Sequence, residues 1–253
     1  MTALIESTDL LESMPAHAEL DTHRVTGPYV TTVKPLIDRF VGTLLLIAVS
    51  PLLAVAGVLV AKEMGRPIFF TQQRVGKDGR AFTMYKFRSM LPDRRSPREA
   101  RTGTAADRGK GSPTPASAPA EAGEDQFDGE DRRKTHKSDH DPRHTKLGRF
   151  LRKTSIDELP QFWNVMRGEM SLVGPRPELA SVVESRYSDW QNQRHLVKPG
   201  LTGMWQVTAR ADGRLMLEDT QCDLDYIEQV SLLTDLRILV ATPMVLLGRG
   251  GGR

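Results

Sequence analysis

The segment from residue 40 to residue 61, FVGTLLLIAVSPLLAVAGVLVA, contains no charged side chain and limits the folds open to this chain. At about 1.5 Å per residue, a helix of this length just crosses the ~30 Å hydrocarbon layer of a bilayer. Three structures are compatible with the segment: a straight transmembrane helix, a helix that enters the membrane and returns, and a buried helix of a soluble protein.

Two features of the segment bear on this choice. Ser50 and Pro51 lie at its centre, where proline removes a helix hydrogen bond and bends the axis. Basic side chains flank both ends, so the positive-inside bias favours neither orientation of a single span. A re-entrant helix bent at Ser50-Pro51 satisfies both observations, while a spanning helix and a core helix stay open. The flanking basic residues are Lys34, Arg39, Lys62, Arg66, Arg74 and Lys77.

Charge and cysteine content exclude several classes of protein. The formal net charge is only +3, which is too small to argue for a nucleic-acid partner. Cys222 is the single cysteine, so an internal disulfide framework and a cysteine zinc site are excluded and a reducing compartment is expected. Residues 1–33 are acidic and lack the pattern of a secretory signal, so we expect a disordered acidic tail there.

Residues 92–146 contain only one large apolar side chain, Phe127, among Pro, Gly, Ala, Ser and mixed charges. Such a stretch cannot bury enough apolar surface to offset the entropy lost on ordering, so a disordered linker is predicted. His136, His140 and His144 recur every four residues, but Pro142 interrupts any helix that would align them. We therefore favour a solvated linker over a metal site.

The remaining chain predicts a mixed α/β protein, with residues 34–91 and 147–253 forming one domain. Alternating apolar residues predict a β-hairpin with strands at 67–73 and 81–87 around a turn at 76–79. Short strands are predicted at 171–173 and 205–207, with a loop at 199–203. Apolar periodicity also predicts amphipathic helices, of which the last fits a membrane interface or the protein surface. The predicted helical ranges are 147–166, 178–193, 215–230 and 232–247.

The adjacent carboxylates of Asp157 and Glu158 allow two interpretations. In the first, Ser155 and Glu158 form an S-x-x-E capping box, and both acids merely stabilise the start of a helix. In the second, one carboxylate is a nucleophile and the other a ligand of Mg²⁺, which prefers oxygen ligands and keeps contacts to substrate phosphates. These residues alone leave both interpretations open.

Arg176 stands between Pro175 and Pro177, which restrict the backbone on both sides and hold its guanidinium near one position. A guanidinium held in this way can bind phosphate oxygens bidentately, although an ordinary loop arginine would look the same in sequence. The P-loop, G-x-G-x-x-G and G-x-S-x-G signatures are absent, so the usual nucleotide and hydrolase motifs do not apply.

Several motifs occur in a fixed order along the chain, and together they resemble the bacterial sugar transferases. These are monotopic phosphoglycosyl transferases that begin the assembly of exopolysaccharides, O-antigens and glycoprotein glycans. The resemblance covers residues 34–91 and 146–247. Its motifs are Lys34-Pro35-x-x-Asp38, Ser50-Pro51, FTQQRVG at 70–76, YKFRSM at 85–90, LGRFLRKTSIDELPQ at 147–161, MSLVGPRP at 170–177 and KPGLTG at 198–203.

The resemblance implies a small α/β unit on the cytosolic face of the membrane, anchored by a re-entrant helix bent at Ser50-Pro51. By the family pattern, Asp157 is the covalent nucleophile and Glu158 helps to hold Mg²⁺. Other motif positions are candidates for substrate binding, and the role of the last, a further family acid, is the least clear. The substrate-binding candidates are Lys86, Arg88, Arg152, Arg176, Lys198 and Asp223.

The expected activity is the transfer of a sugar-1-phosphate from a UDP-sugar to polyprenyl phosphate, with UDP-sugar, polyprenyl phosphate and membrane lipid as partners. UMP would leave and a covalent aspartyl-phosphosugar would form on the way. The sequence leaves open which sugar is transferred and whether the chain forms a homo-oligomer. The alternative is a catalytically silent, membrane-bound scaffold of a polysaccharide assembly complex, in which Asp157 and Glu158 only cap a helix.

Overall fold

The computed structural model describes Leu20 and residues 22–91, 143, 145–208 and 220–248, with side chains up to residue 245. The predicted linker at 92–146 therefore lies almost wholly outside the described residues, as do the three histidines at 136, 140 and 144. The first nineteen residues of the predicted acidic tail also lie outside them. The described residues form a mixed structure of helices and strands in which helix predominates.

Helices in the described residues fall into one long apolar element and many short ones. In chain order they are α1 (His23–Thr26), α2 (Lys34–Met64), α3 (Lys146–Lys153), α4 (Phe162–Arg167), α5 (Ala180–Arg186), α6 (Asp189–Asn192), α7 (Met204–Val207), α8 (Gln221–Gln229) and α9 (Leu232–Gly248). A π-helical turn spans Tyr29–Val33, and 3₁₀ turns span Lys77–Gly79, Ile156–Gln161 and Gln193–Leu196.

The β-hairpin predicted from alternating apolar residues is confirmed. Strand β1 (Phe69–Val75) pairs antiparallel with β2 (Ala81–Phe87), with Phe69 opposite Phe87 and Val75 opposite Ala81. The turn between them uses Asp78 and Gly79 at positive φ, a conformation that Gly and Asp adopt more readily than other residues. The hairpin therefore delivers Lys86, near the end of β2, to a defined place.

A second, two-stranded sheet pairs β3 (Ser171–Val173) in parallel with β4 (Gly200–Thr202). The strand predicted at 171–173 is confirmed, but the strand predicted at 205–207 is wrong because Met204–Val207 is helical. The segment that joins the sheet is Gly200–Thr202, which the sequence analysis assigned to a loop. Its two terminal residues are buried, and burial beside β3 rather than local propensity makes it a strand.

Two apolar clusters hold the two halves of α2 against the rest of the described protein. Val41, Leu46 and Val49 of its first half pack against the larger cluster, which contains buried residues of β2, α4, β3 and α8. Ala56 and Val60 of its second half belong to a smaller cluster with Phe87 and Leu151. Each half of the long helix therefore contacts one of these two clusters through a few side chains.

The segment before α2 differs from the disordered tail predicted for residues 1–33. His23–Thr26 and Tyr29–Val33 are helical, and Val25 and Val30 are buried in the larger cluster. The Tyr29 hydroxyl also donates a hydrogen bond of 2.6 Å to Asp235 in α9. These contacts explain the difference. Acidic composition predicts disorder, but it cannot show that a few apolar side chains in the segment pack against residues far along the chain.

One helix in the described residues, Tyr29–Met64, is long and apolar enough to cross a membrane. Only 11% of its most apolar window is buried against the protein, which argues against the core helix of a soluble protein. Its exposed face carries large apolar side chains such as Leu36, Phe40 and Ile47. Helix α9 adds another exposed apolar face, with Leu232, Leu233, Leu236, Val240 and Met244, which fits membrane association.

Candidate active site

The candidate carboxylates lie in a 3₁₀ turn, Ile156–Gln161, that follows directly on helix α3. Ser155 introduces this turn in the left-handed conformation, with φ of 57°, which is uncommon for a residue other than glycine. The structure does not support the capping-box interpretation of Ser155 and Glu158, because the Ser155 side chain makes no cap and only its carbonyl accepts a hydrogen bond from the Glu158 amide. The turn that follows buries Asp157 and leaves Glu158 partly exposed. Backbone of this uncommon kind often occurs at functional sites.

Asp157 is 9% exposed, which is unusual for a carboxylate. Burial, reinforced by the negative charge of Glu158, raises its pKa to about 6. The positive charges of Lys86 and Arg152 act in the opposite direction and limit this rise. Asp157 is therefore a largely desolvated carboxylate that becomes fully ionised only near neutral pH.

Glu158 is an ion-pair partner of two cations that come from distant parts of the chain. Its Oε1 accepts a hydrogen bond of 2.8 Å from Lys86 Nζ in β2. The same oxygen lies 3.5 Å from an Nη of Arg176, in the loop after β3. The two cations and the two carboxylates thus form one cluster, in which Lys86 and Arg176 are close enough to bind the same phosphate group.

Lys86 is mostly buried, and the cost of desolvation lowers its pKa despite the neighbouring Glu158 carboxylate. Its strand is held in place by Asn164 of α4, which is fully buried. The Asn164 side chain donates to Thr83 O at 2.7 Å and accepts from the Tyr85 amide at 3.2 Å. Asn164 is not among the residues predicted from the sequence, because nothing in its local sequence distinguishes it from an exposed polar residue of a helix.

Arg152 approaches the same cluster from α3. Its Nε donates a hydrogen bond of 2.9 Å to the buried Ser89 hydroxyl, and its charge lowers the pKa of Asp157. Thr145 is the N-cap residue of helix α3, and its side chain accepts a hydrogen bond from the Gly148 amide. This cap sets the start of the helix and so the position of Arg152, about two turns later.

The loop that carries Arg176 is shaped by close backbone contacts between β3 and β4. The Gly200 amide donates to Pro175 O at 2.8 Å, and the Gly174 amide donates to Thr202 O at 2.9 Å. A Cβ atom on Gly174 would lie 2.4 Å from Lys198 O, so a side chain cannot be accommodated there. The glycines of the GPRP and KPGLTG motifs therefore allow the two segments to meet and fix the loop that presents Arg176.

Three other residues predicted from the sequence are not brought into this cluster. The Arg88 guanidinium donates instead to the carbonyls of Met64, Gly65 and Arg66, where it caps the end of α2. Lys198 is half-buried, which lowers its pKa, and the strongest charge acting on it belongs to Arg39.

Asp223 is the third of these residues, and at 1% exposure it is inaccessible to a substrate. It pairs with Arg194 at 2.5 Å, inside the body behind the loop of Arg176. Arg194 is not among the candidate residues predicted from the sequence. Its burial could not be predicted, because a buried and an exposed arginine look the same in sequence.

Ser50 and Pro51 lie within α2, far along the chain from the carboxylates, and the helix continues through both residues. The Ser50 hydroxyl donates a hydrogen bond of 2.8 Å to Ile47 O, which satisfies the polar group inside an apolar segment. Pro51 supplies no backbone amide donor, so the helix lacks one hydrogen bond there.

The donor set beside Asp157 fits Mg²⁺ only as part of a site completed by substrate. The described residues contain no group of three His, Cys, Asp or Glu side chains able to hold a metal ion by themselves. Mg²⁺ is commonly held by one or two carboxylates and by substrate phosphates, so this is the donor set expected for it. Glu158, next to the buried Asp157, is the accessible carboxylate of the pair.

Comparison with known proteins gives a consistent result. A family model described as bacterial sugar transferase matches residues 29–249. The chain is 40% identical over 203 residues to a UDP-galactose-lipid carrier transferase of Erwinia amylovora, covering 79% of this chain and 37% of the relative. It is 37% identical over 221 residues to an undecaprenyl-phosphate galactose phosphotransferase of Salmonella typhimurium, covering 87% of this chain and 41% of the relative.

A shorter relative matches along nearly its whole length. The exopolysaccharide production protein ExoY of Sinorhizobium fredii is 36% identical over 223 residues, which is 86% of this chain and 87% of the relative. By contrast, this chain spans about two fifths of the length of the Erwinia and Salmonella relatives. The similarity to those longer proteins therefore concerns one part of each.

Proposed function

The chain belongs to the bacterial sugar transferase family, and on that basis we propose that it transfers a sugar-1-phosphate from a UDP-sugar to polyprenyl phosphate with release of UMP. The observation that carries the proposal is the buried Asp157 carboxylate, with its pKa raised to about 6, in a cluster with Lys86, Arg152 and Arg176. The names of the Erwinia and Salmonella relatives support a UDP-sugar donor and an undecaprenyl phosphate acceptor.

In the first step, a carboxylate oxygen of Asp157 attacks the β-phosphorus of the UDP-sugar. As the new oxygen–phosphorus bond forms, the bond from that phosphorus to the bridging oxygen breaks and UMP leaves with the electron pair. In the second step, an oxygen of polyprenyl phosphate attacks the same phosphorus, and Asp157 leaves as a carboxylate. Covalent catalysis of this kind divides one displacement between two anions into two easier steps.

The cations of the cluster offset the negative charge that accumulates at the phosphorus. Lys86 and Arg176 hold Glu158 in the absence of substrate, and both can turn their donors to diphosphate oxygens when the donor binds. Arg152, held by the Ser89 hydroxyl, opposes the rise of the Asp157 pKa. Burial of the site strengthens each of these interactions, since it lowers the local dielectric.

Glu158 is the proposed protein ligand of Mg²⁺, with Asp157 beside it. When bound, the ion would stabilise negative charge on the phosphoryl oxygens. It would also reduce the repulsion between the Asp157 carboxylate and the diphosphate. The protein's own contribution is to hold Glu158 next to Lys86 and Arg176, so that carboxylate and cations converge on the same diphosphate.

A re-entrant course of α2, bent at Ser50-Pro51, brings this site to the lipid headgroups. Both ends of the helix are tied to the same folded body, through the 2.5 Å ion pair of Lys34 with Asp235 and through Arg88 on the carbonyls of Met64 and Gly65. We propose that this body lies on one side of the membrane, which would place both ends of the helix on that side. Basic residues next to both ends favour the cytosolic side.

This arrangement explains why one folded unit combines a membrane helix with a phosphoryl-transfer site. The phosphate of the lipid acceptor stays at headgroup level because its polyprenyl chain is held in the hydrocarbon layer. A catalytic carboxylate must therefore sit at that level too. We propose one catalytic domain formed by residues 34–91 and the part from 147 onward, with 92–146 as a linker.

The first test uses UMP release with membrane extract, Mg²⁺ and a panel of UDP-sugars. Asp157→Asn removes the nucleophile but keeps the size of the side chain, so we expect turnover to fall on the order of 10⁴-fold or more. Asp189→Asn, at an exposed aspartate at the start of α6, is the matched control and should retain turnover.

Mass spectrometry of enzyme mixed with donor alone provides the second measurement. The expected adduct is a phosphosugar on the peptide that contains Asp157, absent from Asp157→Asn. If Asp157→Asn releases UMP at the wild-type rate, the nucleophile is a different group. If the wild-type chain releases no UMP from any donor, the catalytically silent scaffold is the better description.

A further inference from the structure

Arg194 is the largest side chain in the described residues that is fully buried. It lies in the 3₁₀ turn Gln193–Leu196, and its guanidinium reaches three partners from different segments. One Nη donates to Asp223 at 2.5 Å and the other donates to the Tyr187 hydroxyl at 2.5 Å. Burial tends to lower the pKa of Arg194, but Asp223, Tyr187 and Glu178 raise it overall, so the group stays charged.

The third partner of Arg194 connects it to the candidate active site. The Nη that faces Asp223 also donates to the main-chain carbonyl of Arg176 at 2.8 Å. The neighbouring carbonyl, that of Pro175, accepts from the Gly200 amide at 2.8 Å. Two successive carbonyls of the loop are therefore held from inside the body, while the side chain of Arg176 extends toward Glu158.

A buried ion pair of this kind is a poor means of gaining stability, because desolvation of both charges offsets their attraction. Apolar side chains of similar volume would fill the same space without that cost. What apolar side chains cannot do is donate to the Arg176 carbonyl, whereas a planar guanidinium can span a carboxylate and a carbonyl at fixed angles. The contribution that only the Arg194–Asp223 pair can make is therefore to hold the Arg176 loop in one conformation.

We propose that Arg194 is a positioning residue for Arg176. Asp223 is the buried counter-ion that offsets the cost of burying the Arg194 charge. The loop conformation that Arg194 holds aims the Arg176 guanidinium at the diphosphate of the nucleotide-sugar. This inference rests on the proposed function, in which Arg176 binds that diphosphate. It also gives Asp223 a role through Arg194 rather than through contact with substrate.

The principal variant is Arg194→Lys, which keeps a positive charge beside Asp223. A single ammonium group cannot match the planar fork, so the bond to the Arg176 carbonyl is lost or weakened. A displaced Arg176 should lower kcat/KM for the UDP-sugar about 10- to 100-fold, mainly through KM. The affinity for UDP, measured by calorimetry on the full-length chain in detergent, should fall in parallel.

A double-mutant cycle separates positioning from general destabilisation. In the background Arg176→Lys, which alone weakens UDP binding, adding Arg194→Lys should cause little further loss, since it acts through the group already changed. If the two substitutions acted independently, their fold-losses in UDP affinity would instead multiply. The control is Tyr187→Phe, which removes another hydrogen bond of the same guanidinium but leaves the bond to Arg176, and it should change kcat/KM by no more than about twofold.

A second variant covers the case in which Arg194→Lys does not fold. The double substitution Arg194→Met with Asp223→Leu removes both buried charges together and so avoids leaving one unpaired. We expect it to melt near the wild-type temperature while binding UDP as weakly as Arg194→Lys. If it binds UDP with wild-type affinity, the pair is structural only and the inference is overturned.

The outcomes also distinguish this inference from the function on which it rests. If Arg176→Lys itself leaves UDP affinity and kcat/KM unchanged, the proposed role of Arg176 fails and the inference fails with it. If Arg176→Lys weakens both but Arg194→Lys does not, the proposed function stands and the positioning role alone is refuted. Multiplicative losses in the cycle likewise refute positioning.

Discussion

At the scale of single residues, Asp157 shows how an active-site group can oppose the stability of the protein that contains it. Burial raises its pKa to about 6, so at neutral pH the folded protein holds an ionised carboxylate in an environment that favours the protonated form. The positive charges of Lys86 and Arg152 offset only part of the cost of desolvating this carboxylate. An energetically unfavourable carboxylate is what a nucleophile needs, since weak solvation leaves its electron pair available.

The substitution Asp157→Asn should therefore stabilise the protein at neutral pH. The folded-state pKa lies above the ordinary value of 3.8, so the stability linked to protonation is present below about pH 4 and lost as pH rises through about 6. Above pH 6, the neutral amide should raise the free energy of unfolding by up to about 3 kcal/mol. Melting temperatures measured in detergent from pH 4 to pH 8 test this.

The sign of the effect is the critical result of that experiment. We expect the melting temperatures of wild type and Asp157→Asn to converge toward pH 4 and to separate toward pH 8, with the variant higher. An unchanged or lower melting temperature at pH 8 would mean that the ionised carboxylate is well solvated or fully paired. The control Asp189→Asn, at an exposed site, should follow the wild type at every pH.

At the scale of elements, the packing of α2 against α4 positions the long apolar helix relative to the site. Gly42 of α2 lies against Val165, which is fully buried. Val165 belongs to α4, the helix that directly follows the turn of the two carboxylates. A Cβ on Gly42 would lie 2.7 Å from Val165 Cγ1, closer than such atoms approach. Gly57, in the second half of the same helix, has more room, with Ile68 and Phe87 both 3.7 Å from the corresponding position.

These two glycines make a matched pair for substitution by alanine. Gly42→Ala should destabilise the protein by about 1–3 kcal/mol through overpacking, because Val165 is stiff and has no space to move. Gly57→Ala should be neutral or stabilising by up to ~1 kcal/mol, since alanine favours helix and meets only ordinary contacts. Thermal unfolding in detergent measures both. Equal effects of the two substitutions would contradict the close contact between α2 and α4.

At the scale of the whole molecule, the course of α2 decides on which side of the membrane each end lies. The proposed re-entrant course places both ends with the folded body, whereas a spanning helix would separate them. Cysteine labelling distinguishes the two, because the single Cys222 can be replaced by Ser to give a background without thiols. Leu36 and Lys62, both exposed and near opposite ends of α2, are suitable positions for new cysteines.

In inside-out membrane vesicles, a membrane-impermeant maleimide should label both Leu36→Cys and Lys62→Cys. Neither should be labelled in right-side-out vesicles, since both ends of a re-entrant helix face the cytosol. Ile47→Cys, near Ser50-Pro51 and 64% exposed on the protein, serves as the control. It should react from neither side, because we expect lipid to cover it. Labelling of positions 36 and 62 from opposite sides would establish a spanning helix.

What the sequence by itself determined lies in patterns that are local along the chain. The apolar segment from 40 to 61, the hairpin strands and the strand at 171–173 follow from periodicity and turn residues, which act over a few neighbours. The family motifs likewise pointed to Asp157 and Glu158. Local patterns failed at Gly200–Thr202 and at the helical residues 23–33, where contacts with distant segments decide the structure.

Only the tertiary structure decided which charged residues meet. Lys86, Arg152 and Arg176 converge on the two carboxylates, while Arg88 caps α2 and Asp223 pairs with Arg194 inside the body. Residue type could not separate these cases, because the direction and burial of a charged side chain depend on segments that become neighbours only in the fold. Desolvation and pairing, which set the chemistry of each charge, are likewise properties of that packing.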